Sequence, residues 1–189
     1  MAQIARSALL VMDVQPGILD RAPDPAAYLA SVEDARRGAR ERSIPVIHVI
    51  VGFRPGLPEV SARNQAFAGV KQQAPGWLSE ARPAITPEAS DIVVTKRRVS
   101  AFTGSDLEVV LRAAGVEHLV LCGIATSGVV LSTLREAADK DYQISVLADL
   151  CVDPDPDLHA VLMGKVFPRQ AWVTSAADWL ASLARAQDD

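Results

Sequence analysis

Val120-Leu121-Cys122-Gly123-Ile124-Ala125-Thr126-Ser127-Gly128-Val129-Val130 decides the fold of this chain. The apolar run from Leu119 to Cys122 meets two glycines and two hydroxyl side chains, then passes into Val130-Leu131-Ser132-Thr133-Leu134-Arg135-Glu136-Ala137-Ala138, whose apolar residues recur at helical spacing. This reads as a buried strand, a tight turn and a helix. In an open parallel sheet, ligands bind in the crevice beyond the carboxyl ends of the strands. A helix that begins there aims unpaired N–H groups and its positive dipole end into the crevice. The backbone around Ile124, Ala125, Ser127 and Gly128 is therefore a candidate anion-facing turn, with the amides of Ala125 and Val129 as its donors. Val129 sits just inside the helix, where a nucleophilic hydrolase requires Cys or Ser, and valine can attack nothing.

Outward from this turn, strands and helices alternate. Ser7-Ala8-Leu9-Leu10-Val11-Met12 is a continuous apolar run ending at Asp13, as expected for a strand buried on both faces. Residues 23–40 have helical periodicity, and 44–51 are β-branched, with Pro45 tolerated at the strand entry. Residues 91–95 form a third strand with Lys96 at its carboxyl end, Ser105 or Asp106 caps a helix that runs to about Ala114 and is stopped by Gly115, and 118–122 are the fourth strand. Residues 143–148 follow as strand five, 155–166 as a helix, 171–173 as strand six, and 175–186 as a terminal helix opened by Ser175-Ala176-Ala177-Asp178. This alternation implies right-handed βαβ units in a single α/β domain over 1–189: a doubly wound, mostly parallel, six-stranded sheet of order 3-2-1-4-5-6 with helices on both faces. Only 53–90 breaks the pattern. Its Arg54-Pro55-Gly56 and Pro75-Gly76-Trp77 are turn chemistry, and 60–70 alone suits a short helix. So long an irregular stretch is expected to cover the crevice or to meet another subunit.

Composition excludes several classes. The 189 residues suffice to bury about 70% of the unfolded surface in one core. A hydrophobic content of 49% and a formal charge of -4 are those of a globular protein with no electrostatic attraction to nucleic acid or anionic membrane. No signal-like h-region or membrane-length apolar run occurs, so a cytoplasmic location is expected. Cys122 and Cys151 form no metal or disulfide spacing, and His48, His118 and His159 are dispersed, so no metal is expected. Gly123 and Gly128 spell neither a dinucleotide nor a P-loop fingerprint, so no cofactor is expected.

Asp13, Lys96 and the turn all fall at carboxyl ends of strands. Alone, Asp13 has an ordinary reading as a turn residue and Lys96 as a solvated cation beside Arg97 and Arg98. Together, at one edge of the sheet, they are an acid, a base and an anion pocket converging on one crevice. Arg54, Asn64, Phe67, Trp77, Arg98 and Phe102 are candidates to line it, an arginine suiting a carboxylate-bearing ligand.

These residues resemble the isochorismatase-like hydrolases, a superfamily that includes nicotinamidases and N-carbamoylsarcosine amidases. The similarity is carried by Leu9-Leu10-Val11-Met12-Asp13-Val14-Gln15, Lys96-Arg97-Arg98-Val99-Ser100-Ala101-Phe102, Leu119 to Thr126, and Val146-Leu147-Ala148-Asp149. The resemblance implies a catalytic Asp13 and Lys96, a cis peptide at Ile124-Ala125, and a nucleophilic cysteine six residues after Gly123. That last slot is Val129, so the chain looks like a member without the usual thiol. The segment after strand two also lacks the metal-binding histidines of nicotinamidases.

Two functions follow as expectations. One is a hydrolase of a small organic molecule, cleaving a C–N, ether or vinyl-ether bond, with Asp13 as general acid or base and no covalent cysteine. The other is an inactive relative that binds a small molecule or serves structurally. Thr126, Ser127, Cys122 and Cys151 are the replacement nucleophiles to weigh, although the two hydroxyls are also good helix caps, Cys122 reads as core and Cys151, after strand five, has no obvious base. A homo-oligomer, dimer or tetramer, is expected.

Overall fold

The computed structural model describes residues 6–73 and 81–185. Its elements are β1 (Ser7–Met12), α1 (Pro25–Arg40), β2 (Val46–Val51), α2 (Gln65–Gln73), β3 (Ile92–Lys96), α3 (Leu107–Ala113), β4 (His118–Ile124), α4 (Leu131–Asp139), β5 (Gln143–Val152), α5 (Pro156–Val161), β6 (Trp172–Thr174) and α6 (Ala176–Arg185). The six strands are parallel throughout, in the order β3-β2-β1-β4-β5-β6. The doubly wound α/β order read from the sequence is the one observed, and the switch point lies between β1 and β4.

Alternate residues of the central strands feed two cores. Leu10, Met12 and Leu121 pack with Leu107, Leu111, Leu134 and Ala137 of α3 and α4 on one face. Leu9, Val11, Val120 and Cys122 pack with Val32, Ala35, Ala39, Trp179 and Leu183 of α1 and α6 on the other. That division is why β1 reads as an unbroken apolar run: both faces are dry.

Side chains set the boundaries. Asp24 accepts from the N–H of Ala27 and starts α1 just before Pro25. Asn64 accepts from the Phe67 N–H, so α2 begins at Gln65 and not at residue 60. Asp155 caps α5 through the N–H groups of Asp157 and Leu158. The regular part of that helix ends at Val161, short of the expected residue 166, and the chain continues through a wide turn over Leu162–Val166. β5 runs past Asp149, where the sequence suggested a stop. Its register against β4 slips between Leu121 and Gly123, and the Asp149 carboxylate on this irregularity accepts from the Ala176 N–H at the start of α6.

At the amino ends of the strands, the entry to β3 is pinned to α1. Asp91 accepts from Arg36 at 2.7 Å and from Arg40 at 2.8 and 3.0 Å, and His48 lies 3.3 Å away. His118 bridges Ser7 and Ser145 at 2.9 Å each, tying β1, β4 and β5 together. Among the described residues, no helix is long and apolar enough to cross a membrane.

Candidate active site

Asp13 ends β1 with φ +56°, a left-handed conformation that few residues other than glycine adopt. Its N–H still donates to Val49 O at 2.8 Å, so the chain reverses immediately after the sheet bond. Gln15 fixes that reversal by gripping the Val51 backbone of β2, donating to its carbonyl at 3.1 Å and accepting from its N–H at 2.7 Å. The Asp13 side chain is thereby held over the end of the sheet.

Lys96 comes from β3, two strands away, and leans inward. Its Nζ lies 2.9 Å from Asp13 Oδ2 and also donates to the carbonyls of Arg98 at 3.0 Å and Val99 at 2.9 Å. All three ammonium hydrogens are used, which is how a lysine that is only 2% exposed remains satisfied on an edge strand. The second carboxylate oxygen, Asp13 Oδ1, is buried and has no hydrogen-bond partner among the described residues. Burial raises the Asp13 pKa above its ordinary value, against the opposing pull of Lys96 and, more weakly, Arg21.

The turn meets this pair because β4 runs in beside β1. Gly123 has φ +147°, and a Cβ there would stand 2.1 Å from Met12 O, so only glycine allows the approach. The Ile124-Ala125 peptide is cis, as the resemblance implies. The chain then makes one wide turn over Thr126–Val130 before α4 begins at Leu131. Val129 lies in this turn, 2% exposed, and lines the same cavity as Asp13 and Lys96.

Two capping expectations are corrected here. Neither the Thr126 nor the Ser127 hydroxyl caps the helix. Thr126 Oγ1 pairs with His159 Nδ1 of α5 at 2.9 Å, and the Ser127 N–H donates to Asp153 Oδ2 at 2.7 Å. Asp153 therefore acts as the cap from the end of β5, which no local sequence pattern signals. The Ser127 amide is accordingly spent outside the cavity, and the N–H groups of Gly128 and Val130 return to Ala125 O. Of the candidate anion-facing turn, Ser127 and Gly128 do not offer their amides to a ligand.

The cavity, ≈ 180 Å³, is bounded by Asp13, Lys96 and the turn residues Ile124, Ala125, Gly128 and Val129. Ile18, Val51 and Val99 make its apolar wall, while Ala66, Phe67 and Val70 of α2 cover it. The irregular segment thus contributes the cover expected of it. Arg21 also lines the cavity and was not singled out in the sequence, since nothing in its neighbourhood marks a binding arginine.

Of the expected lining residues, Phe67 is present. Arg54 is instead paired with Glu59 at 2.7 Å in solvent. Arg98 donates to the carbonyls of Arg97 and Glu59, contributing to the site only its own carbonyl as an acceptor for Lys96. Phe102 is in the core, stacked on Tyr142 at a centroid distance of 6.0 Å. Asn64 caps α2. Trp77 lies outside the described residues.

The replacement nucleophiles are poorly placed. Cys122 and Cys151 are buried; burial pushes the Cys122 thiol up to about 12 and Cys151 well above its ordinary value. Thr126 and Ser127 do not line the cavity. Each histidine has a structural partner, and among the described residues no three His, Cys, Asp or Glu side chains are grouped as metal ligands.

Comparison with known proteins agrees with this geometry. The isochorismatase domain model matches residues 7–178. The chain is 33% identical to YecD of Escherichia coli O157:H7, an uncharacterized isochorismatase family protein, covering 94% of this chain and 96% of that one. It is 32% identical to the ureidoacrylate amidohydrolase RutB of Methylobacterium radiotolerans, over 95% of this chain and 80% of the relative. The solved structure of an isochorismatase family protein from Burkholderia thailandensis superposes with a TM-score of 0.82 at 31% identity, covering 95% and 96% of the two chains. An acid and a lysine joined across β2, beside a cis turn at the switch point of a 3-2-1-4-5-6 sheet, are thus found in a chain that belongs to the isochorismatase family of hydrolases.

Proposed function

We propose that the protein hydrolyses a small organic molecule, at a C–N, ether or vinyl-ether bond, by acid–base chemistry at Asp13 without a covalent enzyme intermediate. The observation that carries this reading is Asp13 Oδ1, a buried carboxylate oxygen without a partner among the described residues, on a residue lining a cavity that Val129 also lines. An unpaired buried acceptor is costly, and a proton shared with substrate or water removes that cost. Lys96 holds Oδ2 and orients the group, so Oδ1 is the oxygen that exchanges the proton.

For a vinyl ether, protonated Asp13 delivers its proton to the terminal alkene carbon. Water then adds to the resulting oxocarbenium carbon and returns a proton to Asp13, and the hemiketal collapses to a ketone and an alcohol. For an amide or carbamoyl bond, ionised Asp13 takes a proton from the attacking water and passes it to the leaving nitrogen. The backbone N–H groups of Ala125 and Val129 then face the developing oxyanion. Neither route requires a thiol.

A second reading, an inactive relative that keeps the pocket as a binding site, is favoured by Val129 itself. A panel of amides, N-carbamoyl compounds, esters and vinyl ethers, assayed with the native protein and with Asp13→Asn, separates the two. Turnover abolished by the substitution supports the hydrolase. Binding without turnover anywhere in the panel supports the inactive relative.

Self-association belongs to the same proposal. Trp172 on edge strand β6 is 64% exposed and Val161 on α5 45%, apolar side chains that a second copy of the chain would cover. Light scattering should return a multiple of the 20.2 kDa chain mass.

A further inference from the structure

We propose that Arg21 anchors a carboxylate on the molecule that enters the cavity, so that the site selects compact organic acids over neutral compounds of the same shape. The inference rests on the cavity being the substrate site, and it assigns a recognition group there.

Arg21 closes the short helical turn Leu19–Arg21 that follows β1, is exposed, and lines the cavity that contains Asp13. Four other cations near this end of the sheet, Lys96, Arg97, Arg98 and Arg54, are committed. Lys96 has given its three hydrogens to Asp13, Arg98 O and Val99 O. Arg97 donates to Gly52 O at 2.7 Å, Arg98 to Arg97 O at 2.6 Å, and Arg54 to Glu59 at 2.7 Å. The Arg21 guanidinium has no hydrogen bond or ion pair with any described residue, and its charge pulls the Asp13 carboxyl toward its ionised form.

Most of the remaining wall is apolar, including Ile18, Val51, Phe67, Val70, Ile124 and Val129. A ligand group that reaches Arg21 from inside therefore meets a charged fork of donors and little competing polarity. A carboxylate matches that fork with two parallel hydrogen bonds, whereas a neutral hydroxyl of the same reach gains at most one and no charge attraction. The apolar wall takes the body of the molecule, leaving Asp13 Oδ1 as the unsatisfied polar group for the reacting end.

This arrangement couples recognition to chemistry. The charged groups acting on Asp13 are Lys96 from β3 and Arg21 from the turn after β1, and both favour its ionised form. A carboxylate seated on Arg21 cancels part of that influence and moves Asp13 toward its protonated form. A bound acid thus promotes the protonation of the general acid that attacks it.

Binding of 3-methylbutanoate and benzoate, each against its uncharged alcohol, tests the assignment by calorimetry in the native protein, Arg21→Ala, Arg21→Gln and Asp13→Asn. The native protein should bind each acid about tenfold or more tightly than its alcohol. Both Arg21 variants should lose that preference while binding the alcohols within about twofold of native, with unchanged circular dichroism and melting temperature. Asp13→Asn should keep the preference for acids. Equal binding of acid and alcohol by the native protein, or retention of the preference in the folded Arg21 variants, would overturn the proposal. If the Arg21 effect is present but Asp13→Asn leaves hydrolysis intact, the carboxylate site stands and the hydrolytic role of Asp13 falls.

Discussion

Lys96 Nζ lies 2.9 Å from Asp13 Oδ2 although β2 separates their strands. Strands two places apart are about 10 Å apart, so a side chain standing upright on β3 would miss Asp13 altogether. The contact exists because Lys96 is the last residue of its strand, where the four-carbon stem can fold over the end of β2, and because the carbonyls of Arg98 and Val99 take its other hydrogens there. Asp13 in turn departs from extended geometry to meet it.

Asp13→Asn keeps the shape of the acid and removes its proton exchange, so hydrolysis should fall by about a hundredfold or more. The pH profile of kcat/KM adds a sign. Asp13 acting as an acid makes the rate fall as pH rises through a pKa above the ordinary 3.8; acting as a base, it makes the rate climb through the same region. A flat profile combined with a fully active Asn variant would remove Asp13 from the chemistry.

Native alkylation should leave hydrolysis unchanged, because both thiols are buried and burial pushes Cys122 up to about 12. In contrast, Val129→Cys introduces a thiol into the cavity wall, in the turn that leads into α4 and close to the Lys96 region. Iodoacetamide should label it rapidly near neutral pH, with mass spectrometry locating the adduct. A thiol at 129 as slow as Cys122 would mean that the turn does not present this position to a nucleophile's partners.

Gly123→Ala should destabilise the fold by about 3 kcal/mol, since the added Cβ meets the Met12 carbonyl oxygen at 2.1 Å and the backbone is left-handed. Urea unfolding measures the loss. A midpoint equal to that of the native protein would show that β1 and β4 separate freely at this end.

Asp91→Asn tests the ion cluster at the other end of the sheet. Removing the carboxylate breaks the buried pair and leaves Arg36 with Glu33, itself partly exposed, as its remaining acidic partner among the described residues; breaking a buried pair costs about 3 kcal/mol. Burial pushes the Asp91 carboxyl up, but bonds from Arg40, Arg36 and the Glu88 N–H hold it well below its ordinary 3.8. Its folded pKa being depressed, its contribution is fully present above the ordinary carboxylate range and is lost as pH falls through the folded value. Denaturant titrations should therefore show a native–variant difference that is constant at neutral pH and shrinks only in strong acid.

The order of the strands, the two-sided core and the placement of Asp13, Lys96 and Val129 at one edge were legible in the residues alone. Apolar periodicity and punctuation by Gly, Pro and Asp are local signals, and a parallel sheet turns chain order into position. The family pattern located the cis turn for the same reason. The partners of polar side chains were not legible. Thr126 and Ser127 read as caps, yet Asp153 holds the turn and His159 takes the Thr126 hydroxyl. Strand five read as ending at residue 148, yet it continues to Val152 and its Asp149 serves the start of α6. Phe102 and Arg98 read as pocket residues, yet one fills the core and the other is bound to backbone, while Arg21 lines the cavity unannounced. For Thr126, Ser127, Asp149 and Phe102 the deciding contact joins residues remote in the chain. Which donor satisfies which buried acceptor depends on distances that exist only once the sheet has brought those residues together.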